Sequence, residues 1–131
     1  MMKWLLVVLG IAGLIGYAQA QPAPPVVVIP YATNYETIAA SQTAQVMGNN
    51  GATGDYLSHC VIYPTSTSPG VVTVFDNTNT AANNVIAFAG GASSLSNLGP
   101  IAIPVGAFSV NGPWKVTTGS GVVVTCYGKF S

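Results

Sequence analysis

The chain has 131 residues, of which 50% are hydrophobic and only 5% charged, against about 25% charged in an ordinary soluble domain. It has no arginine, and its charges are Lys3, Lys115, Lys129, Glu36, Asp55 and Asp76. This composition excludes a basic patch for nucleic acid, argues against disorder, and leaves a neutral surface that resists self-association poorly, as suits a protein packed in an assembly or placed outside a cell.

Residues 1–20 have the anatomy of a secretory signal peptide: Lys3, an apolar stretch from Trp4 to Tyr17, and Ala18-Gln19-Ala20 as the cleavage site. The alternative is an uncleaved hydrophobic anchor, but the apolar run is short of the ~18–20 residues that span a bilayer comfortably. Residues 21–34 open with Gln21-Pro22-Ala23-Pro24-Pro25 and read as a proline-rich linker. Export places the two cysteines in an oxidising compartment. A Cys60–Cys126 disulfide would close a long loop, worth about 4 kcal/mol in chain-entropy terms. The alternative is two separate buried thiols.

Residues 35–131 carry β signals. Thr37 to Val46 suits either a helical turn or a strand. Beyond it come strand-like runs at Tyr56–Pro64, Val71–Phe75, Val85–Ala89, Ile101–Val105, Trp114–Thr118 and Val122–Phe130, separated by turn residues. Ser68-Pro69-Gly70-Val71 fits a type II turn. Pro104 marks an edge strand or a bulge. The last two runs flank Gly119-Ser120-Gly121 and read as a hairpin. In its second arm the strand period places Val122, Val124, Cys126 and Phe130 inward and Val123, Thr125, Tyr127 and Lys129 outward. Trp114 is expected to anchor the core. Six or seven short strands predict an all-β fold, a small antiparallel β-sandwich or jelly-roll-like domain.

No catalytic constellation stands out. His59 is the one candidate base, but it adjoins Cys60 in a strand, so the two side chains point to opposite faces. There is no G-x-S-x-G elbow. The spacing of one His and two Cys is not that of a zinc site. Asp76-Asn77-Thr78-Asn79 lacks the glycine and distal acid of a calcium loop. The glycine pairs precede no helix and read as turns rather than phosphate cradles. We therefore expect no enzyme, no metal and no cofactor. Exposed tyrosines such as Tyr63 and Tyr127 would suit stacking on sugar rings.

The segments GATGDYLSHCVIYPTSTSPGVVTVFD and FAGGASSLSNLGPIAIPVGAFSVNGPWKVTTGSGVVVTCYGKF resemble a group of small proteins encoded by tailed bacteriophages and prophages. The shared features are a Gly-Asp-Tyr-Leu start, a Thr-Ser-Pro-Gly turn, a Gly-x-Trp-Lys-Val-Thr-Thr-Gly hairpin and a terminal Gly-x-Phe. They cover about Ala40 to Ser131. The resemblance implies a virion-associated β-domain, a capsid decoration or appendage accessory that acts by protein–protein contact and oligomerises with its own copies. The leader and the cysteines depart from the group and point to export, to the periplasm, the exterior or the virion surface. The candidate interaction surface comprises Tyr63, Val123, Thr125 and Tyr127 on strands and Asp76, Asn77, Asn79 and Asn84 in the loop from Asp76 to Asn84. The alternative is a secreted module that binds carbohydrate or a cell surface. The membrane would be touched only through an uncleaved N-terminal segment.

Overall fold

The computed structural model describes residues 32–131, so the expected signal peptide and all but the last three residues of the linker lie outside the described residues. The described residues form eight strands: β1 Asn34–Ile38, β2 Gln45–Val46, β3 Tyr56–Pro64, β4 Val72–Asp76, β5 Asn84–Phe88, β6 Ile101–Phe108, β7 Trp114–Thr118 and β8 Val122–Lys129. A single 3₁₀ turn, Leu95–Leu98, breaks the β5–β6 connection. The stretch from Thr37 to Val46, open to either reading in the sequence, ends β1, turns, and begins β2.

Two antiparallel four-stranded sheets pack face to face, with strand orders β1-β8-β3-β6 and β2-β7-β4-β5. Every pairing in a nested series is present: β1 with β8, β2 with β7, β3 with β6 and β4 with β5. The chain thus behaves as one long hairpin that has rolled up, which brings β8 onto β3 and β7 onto β4. This is jelly-roll topology, so the β-sandwich expected from the strand spacing is what forms.

The core lies between the sheets. The first sheet contributes Ile38, Leu57, Cys60, Ile62, Val122, Val124 and Cys126; the second contributes Met47, Val72, Val74, Ile86, Trp114 and Val116. Leu57 and Cys60 both face inward although three positions separate them, which strict alternation forbids. A register shift between Leu57 and His59 absorbs the odd residue. Val122, Val124, Cys126 and Phe130 are buried as the alternation predicts.

Two local expectations are corrected. β7 and β8 are not a hairpin: β7 bonds to β2 and β4, β8 to β1 and β3, and Gly119-Ser120-Gly121 carries the chain from one sheet to the other. Each arm has one apolar face, and apposed sheets bury both faces where a flat hairpin would bury them only against a third layer. Gly70 does not adopt the positive φ that a type II turn requires at that position. Its role is close approach: a Cβ on Gly70 would sit 2.8 Å from the Gly119 Cα, and one on Gly119 would sit 2.7 Å from the Gly70 Cα.

Cys60 and Cys126 are disulfide-bonded. They face each other directly in the β3–β8 register, with Cα atoms 4.0 Å apart, the close spacing of a non-hydrogen-bonded antiparallel pair. The bridge joins the two central strands of the first sheet from its inner face and fits an oxidising environment. Both cysteines are fully buried. Alkylation in the presence of reductant is therefore expected to spare the native protein and to label both cysteines once urea opens it. Replacing both by alanine should lower unfolding free energy by about 4 kcal/mol, read from urea titration.

Candidate interaction surfaces

The loops gather at two ends. One end carries the segments 47–55, 77–83 and 109–113 together with Thr33 and Ser131; the other carries 39–44, 65–71, 89–100 and 119–121. The charged side chains of the described residues all belong to the first end or the strand portions leading to it: Glu36, Asp55, Asp76, Lys115 and Lys129. The loops of the opposite end contain none.

Each of the three carboxylates is occupied by N–H donors. Asp76, only 6% exposed, accepts from the backbone N–H groups of Val110 and Asn111 at 2.8 Å, from Gly112 at 3.2 Å, and from the Asn111 amide at 3.0 Å. Asp55 accepts from Ala52 N at 3.0 Å and from the backbone N and the hydroxyl of Ser131 at 3.2 Å. The Asp55 carbonyl also receives the Trp114 indole N–H at 2.9 Å, so the tryptophan is polar-satisfied as well as buried. Glu36 accepts from Gly48 N. These acids close turns.

Asp76 therefore leaves the proposed contact loop. It sits inside the turn it organises, because burying a carboxylate requires donors around it and the 110–112 segment supplies them. Asn77 is also engaged: its side-chain oxygen accepts from Lys115 Nζ at 3.2 Å and its amide donates to Asn111 O at 3.1 Å. Asn79 is exposed. Asn84 begins β5, and its Oδ1 is buried with no hydrogen-bond partner among the described residues.

The strand candidates share one place. Tyr63, Val123, Thr125 and Tyr127 all fall on the outer face of the first sheet. One row across it runs Tyr35, Tyr127, His59, Pro104 in register. His59 stacks flat on Tyr127, with ring centroids 4.6 Å apart and planes 7° apart, and Tyr35 lies 5.9 Å beyond. Thr125 is only 8% exposed, since its hydroxyl pairs with that of Thr37 at 2.9 Å; the outward position is right but the group is covered. Tyr63 and Val123 pair near the uncharged end. The structure therefore places the loop candidates and Tyr63 at opposite ends of the sandwich, too far apart for one contact.

Two surface features escaped the sequence reading. The 3₁₀ turn exposes Leu95 at 80% and Leu98 at 47%, and β6 with its flank exposes Phe108 and Val110. Nothing in the local pattern signals this, because an apolar strand reads as buried. Among the described residues one cleft of about 250 Å³ lies beside Glu36, Gln42 and Gln45, and another of about 170 Å³ beside Asp55, Phe108 and Lys129; each is below the ~300 Å³ at which small-molecule sites begin. Among the described residues no three His, Cys, Asp or Glu side chains converge as metal ligands would. No family model, no curated protein and no solved structure matches the chain.

Asp76→Ala removes the acceptor of the Val110, Asn111 and Gly112 N–H groups. It should cost about 3 kcal/mol of stability, measured by urea unfolding. Asp76→Asn should recover only part of it: its carbonyl oxygen can hold the Val110 and Asn111 donors, but its NH₂ then faces the Gly112 N–H.

Proposed function

We propose that this protein is a non-enzymatic structural module that is exported and attaches to a phage particle, as capsid decoration or appendage accessory, by protein–protein contact. The observation that carries this reading is the segregation of charge. One loop end and the outer face of the first sheet beside it present Tyr63, Leu95 and Leu98 with no charged neighbour, and docking there desolvates no ion. The three acids that might serve acid–base chemistry are engaged by backbone donors, which favours a structural role. Jelly rolls occur in viral capsids and in lectins alike, so topology alone does not choose; the likeness of the Gly-Asp-Tyr-Leu and Trp-Lys-Val-Thr-Thr-Gly segments to small phage proteins favours the first. The disulfide and the leader favour export.

A second reading, a secreted glycan-binding module, is favoured by Tyr35, which is 69% exposed. Against it, His59 covers one face of the Tyr127 ring, and a sugar stacks on a free face.

Mass spectrometry of density-gradient-purified particles is expected to find the protein in the virion band. Leu95→Glu with Tyr63→Ala should deplete it from that band while leaving its far-UV spectrum unchanged. Retention on immobilised polysaccharide that is lost in Tyr35→Ala, with no protein in the particle band, would establish the second reading instead.

A further inference from the structure

Asn-Gly occurs twice in the chain, at Asn50-Gly51 and at Asn111-Gly112. Both lie at the end that carries the charges, in the segments 47–55 and 109–113. In such a dipeptide the glycine nitrogen can attack the carbonyl carbon of the asparagine side chain, because no glycine side chain hinders the approach. A bond forms from the glycine N to the asparagine Cγ, and the Cγ–Nδ2 bond breaks. The glycine proton leaves with the amide as ammonia, and a succinimide ring remains. Water then opens either ring carbonyl and leaves isoaspartate or aspartate.

The two sites differ in what holds the reacting groups. Gly112 N donates to Asp76 Oδ1 at 3.2 Å, and the Asn111 side-chain amide donates to Asp76 Oδ2 at 3.0 Å. Nucleophile and leaving group are pinned to one carboxylate, which also holds the backbone N–H of Asn111. The charge of that carboxylate opposes loss of the Gly112 proton and the growth of negative charge on the Asn111 side-chain oxygen. Gly112 is buried as well. Asn50, by contrast, is exposed. The carboxylate bonds nearest it, from Gly48 N to Glu36 and from Ala52 N to Asp55, leave its side chain out. Its nucleophile, Gly51 N, gives one bond at 3.1 Å to Ser131 O, an oxygen shared with Asn50 N. The fold cannot dispense with this glycine. Gly51 has a φ of +57°, and a Cβ there would sit 2.4 Å from the Pro113 Cβ.

We infer that Asn50-Gly51 is a spontaneous modification site that converts to isoaspartate and aspartate in the folded protein, and that Asp76 protects Asn111-Gly112 from the same reaction. The isoaspartyl product routes the main chain through Cβ and Cγ. That lengthens the path between the two N–H groups that share Ser131 O and breaks the shared contact. Either product adds a carboxylate to the end that already holds Glu36 and Asp55.

The test is peptide mapping by mass spectrometry of the full chain, disulfide intact, sampled over time in mildly alkaline buffer. The peptide containing Asn50 is expected to gain about 1 Da, NH₂ exchanged for OH, with isoaspartate resolved by its separate elution. Asn111 should react more slowly by about tenfold or more, since two bonds to a carboxylate must open first. In urea the two sites should react at similar rates. Asn50→Gln should abolish the early product, because the ring it would need is larger. Equal rates in the folded protein, Asn111 reacting first, or Asn50 intact in the folded protein while it reacts in urea overturns the inference. A rate ratio unchanged by urea also overturns it, because the selectivity would then belong to the flanking sequence and not to Asp76.

Discussion

Carboxylates that accept backbone N–H groups hold one end of this sandwich together, and much else depends on them. Asp55 ties the segment before β3 to Ser131, Asp76 ties the end of β4 to the β6–β7 turn, and Glu36 ties β1 to Gly48. Ser131 also accepts from Asn50 and Gly51, and Ser109 exchanges backbone hydrogen bonds with Asp55 and Gly54. The Trp114 indole is oriented by the same network. A carboxylate holds several donors at once, and each such bond is stronger than one between neutral groups. A chain with so few acids has thereby fixed three loops that contain little hydrophobic surface of their own.

The other end is built by different means. Gly70 and Gly119 meet backbone to backbone, Gly121 lies against Ser66, and the loops bond mainly through main-chain groups: Gly70 to Ser120, Thr65 to Gly121, Gly91 to Pro69 and Ser94 to Thr67. Thr118 reaches across to Ala39 and Gln42. No ion is needed where loops lie this close. The absence of charge at this end is therefore a by-product of how its turns pack.

Much of the fold was legible in the residues. Alternation located six strands within one or two residues at most ends, although β6 runs three residues past Val105, and it identified the inward set of β8. What it could not convey was partnership. A turn such as Gly119-Ser120-Gly121 has the same composition whether it closes a hairpin or changes sheets, and only the strands on either side decide. The inward positions of Leu57 and Cys60 depend on a bulge with no sequence mark. Asp76 reads as a loop residue because its donors lie more than thirty positions away. The exposure of Phe108 was hidden for the opposite reason: β6 has the composition of a buried strand and the position of an outer one.

The direction of the chain through the sandwich has a mechanical consequence. Thr33 bonds to Gly128 beside the buried acids, so β1 begins at that pole. The uncharged pole lies a strand length away, about 30 Å along the nine residues of β3. A pull on the start of β1 against the far pole loads β1 lengthwise against β8. Five backbone pairs then resist in shear, and the adjoining β8–β3 pair is covalently locked by the disulfide. Such a sandwich bears tension applied between its two poles without exposing its core.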